Sequence, residues 1–211
     1  GLRGGGVERA SSSLANYFSD SGYNVQVLSL YRDKDKTIND MIVFKLNESV
    51  KYVEPKFSRN AVLESKLSLE NKRILTKINY LLKLIGYIRK ETKIFNPDTV
   101  LAFSEWTNPY VILALIGLKY PIYVSDRMSP MAKLPLISEI LKRFTYRFAS
   151  GIIAQTSFAK RILKNKIKSN RIYVIHNPVN IIKKTNDKEI DLIVSVGRLS
   201  PEKGHKYLIK A

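Results

Sequence analysis

The 211-residue chain contains no cysteine, which excludes disulfide bonds and thiolate chemistry. It has one tryptophan and two histidines, His176 and His205. Long apolar runs are also absent, since the longest, residues 110–118, is well short of the roughly 20 residues that a membrane-spanning helix needs. Neither cysteine catalysis nor a membrane-spanning helix is therefore expected from this sequence.

Acidic residues are scarce: 18 of them oppose 36 lysines and arginines, giving a formal net charge of +18. Such an excess predicts an anionic partner, namely phosphate esters, nucleic acid or an acidic membrane face. No helix-turn-helix, RNP-like strand or zinc-ligand spacing is present, so nucleic acid is not expected. Residues 160–171 carry six cations and no acid, and residues 60–95 form a basic amphipathic pattern. These two faces are either merely solvated or suited to an anionic membrane surface.

The middle of the chain alternates short apolar runs with helical patterns. This alternation predicts an α/β fold, a Rossmann-like parallel sheet with helices on both faces. Within the helix expected at 134–148, Ile137, Ile140, Leu141 and Phe144 share one stripe, which we expect to face inward. The expected strands are 99–103, 121–125, 151–154 and 172–175, and the other expected helices are 109–118 and 157–166.

The N-terminal part has the same character, with one difference. A helix at 7–21 stopped by Gly22, strands at 24–30, 41–46 and 50–53, and a helix at 60–95 are expected. The helix at 7–21 follows a glycine loop at 4–6, yet no strand precedes that loop as a Rossmann-like unit requires. We therefore expect the first strand to be missing, with a gap beside the 24–30 strand.

The C-terminal twenty residues indicate a second domain. Residues 191–196 (DLIVSV) predict a buried parallel strand, followed by a charged loop and the start of a helix. The predicted organisation is an N-terminal domain at 1–179, a polar linker at 180–190 and the truncated start of a second domain at 191–211.

Polar side chains follow two of the predicted strands, at the sheet edge where open α/β folds bind ligands. Glu105, Trp106 and Asn108 come after the 99–103 strand; Trp106 can stack on a sugar or cover the core edge, and Asn108 can contact a sugar or cap a helix. Asp126 and Arg127 come after the 121–125 strand, where they can orient a ligand or simply pair with each other.

Two further segments combine glycine with features that attract anions. Gly5 and Gly6 precede a helix N-terminus, where backbone N–H groups can bind phosphate, although a plain tight turn is equally compatible. Arg198 and Lys203 flank a glycine-containing loop before another helix, where they can grip an anion or be solvated. The glycine spacing fits neither a dinucleotide fold nor a P-loop.

Four strings in this order resemble motifs of glycosyltransferase family 4, the retaining, nucleotide-sugar-dependent enzymes of GT-B fold. They are GGVER at 5–9, SDRMSP at 125–130, HNPV at 176–179 and VGRLSPEKGHKYLIKA at 196–211. The resemblance implies that Arg198 and Lys203 grip the donor diphosphate, with Gly5 and Gly6 nearby, and that Asp126 and Arg127 are catalytic. Glu105, Trp106 and Asn108 would contact acceptor or sugar. Many family members have a histidine at the end of the strand that corresponds to 121–125, and this sequence has no histidine there.

The resemblance implies a glycosyltransferase of hexosyl or N-acetylhexosaminyl type that uses no metal or cofactor. Its donor would be a nucleoside-diphosphate sugar, and its acceptor a polyprenyl-diphosphate-linked glycan or a polysaccharide. It would lie in the cytoplasm, peripherally on the inner face of the cell membrane. The family's E-x7-E carboxylate pair would lie beyond Ala211, so these residues alone are expected to be inactive. The glycines and charged residues of both domains are expected to meet at one cleft. The rival hypotheses are a non-catalytic, Rossmann-type nucleotide- or polyanion-binding module and an NAD-dependent enzyme.

Overall fold

The computed structural model describes residues 5–32, 44–57, 70–178, 191–197, 199 and 203–210, without the side chains of 70–74. The chain divides into two compact units, Gly1–Pro178 and Val179–Ala211. In the described part of the chain, no helix is both long enough and apolar enough to cross a membrane.

The first unit is built from alternating strands and helices. Its strands are β1 (Gln26–Leu28), β2 (Lys51–Val53), β3 (Val100–Phe103), β4 (Ile122–Ser125), β5 (Gly151–Ala154) and β6 (Ile172–Val174). Its helices are α1 (Gly6–Asp20), α2 (Glu70–Phe95), α3 (Asn108–Leu115), α4 (Leu136–Thr145), a 3-10 turn (Tyr146–Phe148) and α5 (Ser157–Ile167).

The strands form two parallel sheets flanked by helices. One has the order β3-β4-β5-β6 and the other pairs β1 with β2. The sequence prediction of a Rossmann-like parallel α/β fold is thereby confirmed. Among the described strands, β1 and β2 pair only with each other. The ladder hydrogen bonds of these strands therefore do not join the two sheets.

The core lies between the four-stranded sheet and the helices packed on it. Val124 of β4 and Ile152 of β5 are completely or almost completely buried, as are Ile112 and Leu115 of α3 and Ile88 of α2. Each such aliphatic side chain contributes about 1.5–3 kcal/mol by leaving water. This packing holds the carboxyl ends of β3 and β4 in fixed positions.

The C-terminus of α1 ends as the sequence predicts. Gly22 adopts a φ of +86°, a left-handed conformation that favours glycine. The Gly22 N–H donates to the Ser19 carbonyl, and the Tyr23 N–H donates to the Phe18 carbonyl. This paired pattern satisfies the last carbonyls of the helix and stops it.

The prediction that the apolar stripe of α4 faces inward is wrong for three of its four residues. Ile137 is 81% exposed, and Ile140 and Phe144 are also exposed, while Leu141 is half-buried; Lys142 and Thr145 are buried instead. The helix is turned with its polar side inward because the buried carboxylate of Asp126 bonds to Lys142. An ion pair inside the domain therefore overrides the amphipathic pattern.

Other sequence predictions fail locally or cannot be followed. Residues 44–46 are not a strand, and 41–43, 60–69 and the linker 180–190 lie outside the described residues. In the second unit, residues 191–196 are exposed and irregular rather than a buried strand, because no described segment of that unit pairs with them. The expected helix after them is present as α6 (His205–Lys210).

Candidate functional site

The candidate site lies at the carboxyl ends of β3 and β4. Phe103 pairs with Ser125 at the last position of the parallel register. The residues that follow each strand therefore emerge side by side, and Glu105 from the first loop reaches the backbone of Met128 in the second. The sequence prediction that these two loops form a common edge agrees with this geometry.

The loop after β3 is tightly turned. Ser104 has a φ of +93°, a value that a residue with a side chain rarely adopts. Its carbonyl accepts hydrogen bonds from the backbone N–H groups of Thr107 and Asn108 at 3.0 and 2.9 Å. Backbone strain of this kind concentrates at functional sites. The turn buries Glu105 and leaves Trp106 45% exposed, so that Trp106 is available to a ligand.

Asp126 is buried and fully engaged. Its Oδ2 lies 2.5 Å from Lys142 Nζ, and its Oδ1 accepts a 2.5 Å hydrogen bond from the Tyr146 hydroxyl. Burial and the Asp126 carboxylate raise the pKa of Tyr146 well above its ordinary value, so the phenol remains a donor. The alternative that Asp126 pairs with Arg127 is wrong, since Lys142 is its partner.

Glu105 lies beside this pair. Its Oε1 accepts a 2.6 Å hydrogen bond from the Met128 N–H, which links the two loops. Burial is the main cause that raises the pKa of Glu105, and the negative charge of Asp126 adds to it. The uncharged form of this carboxyl is therefore favoured relative to an exposed glutamate.

Arg127 is half-buried and contacts Phe103 and Asn177. Its guanidinium lies 4.9 Å from the centre of the Phe103 ring, and its NH1 donates to Asn177 Oδ1. Asn177 in turn donates to Gln155 Oε1 at 3.2 Å. Burial lowers the pKa of Arg127, while Glu105 opposes this shift. The Asn177 contact therefore connects Arg127 to the segment that follows β6.

Asn108 does not have either role that the sequence suggested. Thr107 occupies the helix N-cap position and Asn108 is the first residue of α3. The Asn108 side chain is completely buried and donates to the Ser125 carbonyl and the Tyr146 hydroxyl. These hydrogen bonds hold Ser125 and Tyr146 in place beneath the cluster. Because Asn108 itself is completely buried, its side chain is not accessible to a sugar.

Several buried polar atoms at this edge have no hydrogen-bond partner in the described part of the chain. Proteins rarely leave such atoms unpaired without a reason, and a bound ligand is one. They mark the space above β3 and β4 as the best candidate for ligand binding in this unit. The atoms that border this space are Glu105 Oε2 and Arg127 Nε, whereas Asn108 Oδ1 and Ser125 Oγ are unpaired in the completely buried layer beneath.

The glycine loop is present at the N-terminus of α1. Gly5 is extended, and its carbonyl accepts from the Arg9 N–H at 3.0 Å. The carboxylate of Glu8 folds back so closely that a Cβ on Gly5 would lie 2.4 Å from Glu8 Oε2. No hydrogen bond in the described residues joins Gly5 or Gly6 to the cluster at β3 and β4.

The second unit contains the other predicted donor-binding residues. Arg198 lies outside the described residues, and Lys203 is exposed. A Cβ on Gly197 would lie 3.2 Å from His205 Nε2 and 3.5 Å from Lys203 Cγ. Ser195 Oγ is 3.0 Å from His205 Nδ1. The stem of Lys203 and the ring of His205 therefore lie beside Gly197.

Sequence reasoning missed the residues that hold Asp126 in place. Lys142 and Tyr146 lie one helical turn apart, 16 and 20 positions after Asp126, and no local pattern connects them to it. The described residues contain no group of three or more His, Asp or Glu side chains arranged to hold a metal ion.

Comparison with known proteins places this geometry in a family. The model of Glycosyltransferase Family 4 matches residues 4–183, most of the chain. The chain belongs to glycosyltransferase family 4. This membership confirms the family resemblance inferred from the sequence motifs.

Three glycosyltransferases show the extent of the similarity. One is the GalNAc-alpha-(1->4)-GalNAc-alpha-(1->3)-diNAcBac-PP-undecaprenol alpha-1,4-N-acetyl-D-galactosaminyltransferase of Campylobacter jejuni, 25% identical over 100% of this chain and 54% of that protein. Uncharacterized glycosyltransferases of Haemophilus influenzae and Methanocaldococcus jannaschii are each 25% identical, over 98% and 79% of this chain and 53% and 49% of those proteins. The chain thus spans about half the length of these relatives.

The raised pKa of Glu105 predicts a pH-dependent effect of Glu105→Gln. Because the folded protein holds this proton more tightly than the unfolded chain, the contribution of Glu105 to stability falls as pH rises above the ordinary carboxyl pKa. Glutamine stays neutral and can still accept from Met128. We expect the unfolding free energy of Glu105→Gln minus that of the wild type to be larger at pH 7 than at pH 4. Urea denaturation at both pH values measures this, and a pH-independent difference would contradict it.

Proposed function

We propose that the full-length protein transfers a sugar from a nucleoside-diphosphate sugar to an acceptor hydroxyl, with retention of anomeric configuration. The observation that carries this proposal is the family match over residues 4–183, combined with the polar cluster at the carboxyl ends of β3 and β4. The reaction separates charge, because the diphosphate becomes more negative as its bond to the sugar breaks. The site must therefore supply positive charge at the departing diphosphate.

Arg198 and Lys203 are the groups that we propose for this task. Lys203 lies beside Gly197, and Arg198 is the next residue in the chain, so both cations come from one short loop. Gly197 carries no side chain that would block a diphosphate from approaching the backbone. Gly5 and Gly6 are also proposed to contact the donor, which requires the Glu8 carboxylate to move away from Gly5. The two cations supply the required charge, so the proposal includes no metal or cofactor.

Within the first unit, we assign Arg127 the direct role and Asp126 an indirect one. The Arg127 guanidinium is half-buried, and its Nε has no hydrogen-bond partner in the described residues. It can therefore bind a phosphate or a sugar hydroxyl without first losing a strong ion pair. Asp126 already uses both carboxylate oxygens on Lys142 and Tyr146. We propose that Asp126 fixes the loop that carries Arg127.

We propose that the acceptor is a lipid-linked glycan used in cell-surface polysaccharide or glycan assembly. The name of the Campylobacter jejuni relative specifies an undecaprenol-PP acceptor and transfer of N-acetyl-D-galactosamine. The exposed ring of Trp106 offers an apolar face on which a sugar can stack, and Glu105 borders the same space. An acceptor of this kind would hold the protein peripherally at the inner face of the cell membrane. A transferred hexose or N-acetylhexosamine fits this acceptor.

Donor binding by the full-length protein tests the proposal and separates it from the rival classes. Isothermal titration would compare sugar nucleotides, NAD and single-stranded nucleic acid. We expect saturable binding of a sugar nucleotide, and weaker binding after Arg127→Gln than after Arg143→Gln, an exposed arginine of α4. Salt-sensitive binding of nucleic acid with no response to any sugar nucleotide would favour a polyanion-binding module instead.

A further inference from the structure

One side of α4 is apolar and exposed. This α4 face consists of exposed apolar side chains on successive turns of one side of the helix and the 3-10 turn after it. The ring centres of Phe144 and Phe148 are 5.7 Å apart, so the two rings form one continuous surface. Its members are Leu136, Ile137, Ile140, Phe144 and Phe148, each between 45% and 81% exposed.

The orientation of α4 is enforced from inside the domain. Lys142 and Tyr146 bind Asp126, and Thr145 is buried beside them, so the opposite side of the helix must face outward. Rotation of the helix to hide Ile137 would expose Asp126 and leave it without its cation. The exposure of the α4 face is thus fixed by the same ion pair that holds the candidate site.

The charges around the α4 face are almost entirely positive. Lys133, Arg143 and Arg147 are exposed, and the Arg147 guanidinium lies 5.0 Å from the centre of the Phe144 ring. The acidic residue of this segment, Glu139, is paired with Lys166 at 3.4 Å. Apolar side chains interspersed with unopposed cations are the chemistry of a helix that lies in the interface of an anionic bilayer.

The α4 face is also continuous with the candidate site. The loop from Met128 to Pro135 connects Arg127 directly to the start of α4, and it carries the exposed side chain of Met131. Lys166 of α5 bonds to the Pro130 carbonyl and to Glu139, which ties the loop and the helix to one support. A bilayer seated on this face would therefore lie beside the loop that carries Arg127.

We propose that the α4 face inserts shallowly into the anionic leaflet and holds the site at the level of the lipid headgroups. This inference rests on the proposed function, because a lipid-linked acceptor presents its diphosphate at that level. The cations attract the leaflet, the apolar side chains enter the acyl boundary, and the inward ion pair keeps α4 in register with the site.

Vesicle binding of the full-length protein tests this proposal without any substrate. An environment-sensitive dye on Ile137→Cys should shift to the blue with vesicles of phosphatidylcholine and phosphatidylglycerol, and much less with phosphatidylcholine alone. The same dye on Tyr17→Cys, a 65% exposed position of α1 outside both basic faces, should not shift. Ile140→Gln should weaken partitioning about tenfold and Tyr17→Gln less than about twofold.

Two results would overturn the proposal. One is an unchanged dye at Ile137 in the presence of bound vesicles. The other is a dye already shielded before vesicles are added, which would mean that another segment or a second copy covers the α4 face. Transfer to a detergent-solubilised acceptor separates this failure from failure of the proposed function. The Ile140→Gln variant should retain this transfer activity. If the wild type shows no such transfer, that result counts against the proposed sugar transfer and not against membrane docking.

Discussion

Replacement of Lys142 by methionine is expected to lower the free energy of unfolding by about 3–5 kcal/mol. The Lys142 ammonium lies 2.5 Å from Asp126 Oδ2, and both side chains are at most 10% exposed. Methionine has a similar length and is apolar, so the main loss is the charge that offsets the buried carboxylate. Urea denaturation of the full-length protein, followed by circular dichroism, measures the change.

Arg143→Met is the matched control for this experiment. Arg143 is the next residue on the same helix, but it is exposed, so its replacement should change stability by less than about 0.5 kcal/mol. Adding Asp126→Asn to Lys142→Met should recover part of the lost stability, because the unpaired charge is then removed. Equal effects of Lys142→Met and Arg143→Met would refute a buried ion pair as the anchor of α4.

The second large effect concerns the reaction itself. Arg198→Ala or Lys203→Ala in the full-length protein should each slow sugar transfer by about 10²–10³-fold. Each cation is proposed to contact a diphosphate whose negative charge grows in the transition state, so its removal should lower kcat more than donor affinity. Steady-state transfer to a lipid-linked acceptor measures kcat, and a separate titration of donor binding measures the donor affinity.

Lys164→Ala provides the comparison for these variants. Lys164 is an exposed lysine of α5 among several other cations, so its removal should leave kcat almost unchanged. At most it should weaken attraction to an anionic surface, by about 1 kcal/mol. Arg198 and Lys203 variants that kept the wild-type kcat would rule out the proposed diphosphate contact.

The sheet was predictable because its strands are short apolar runs that are largely buried. The expected strand at 121–125 is observed as β4, Ile122–Ser125, and the strand at 151–154 is observed as β5 with the same bounds. Gly22 also ends α1 as expected, since a left-handed helix terminus favours glycine. In these places local pattern and tertiary packing agree.

The orientation of α4 was not predictable from its own sequence. Its apolar residues form a clear stripe, and a stripe normally faces the core. Here Asp126, from a different loop, requires Lys142 on the inner side, and a pair separated by 16 positions leaves no periodic signal. Residues 191–196 failed for a related reason, since an apolar run becomes a strand only when a neighbouring strand pairs with it.

The candidate site was predictable in outline and not in its internal roles. Strand-end reasoning brought Glu105 and Asp126 to one edge, where the Glu105–Met128 hydrogen bond joins their loops. It could not tell that Asp126 would be enclosed or that Asn108 would be completely buried. Those roles depend on Tyr146, which bonds to both side chains and belongs to the 3-10 turn after α4.

The most direct test is the anomeric configuration of the product formed by the full-length protein. The purified enzyme would receive an α-configured nucleoside-diphosphate sugar and a polyprenyl-diphosphate-linked glycan, and NMR would determine the new linkage. We expect an α-linked product whose formation falls sharply in Arg198→Ala and persists in Lys164→Ala. A β-linked product would contradict a retaining mechanism, and no product from any sugar nucleotide would contradict the account as a whole.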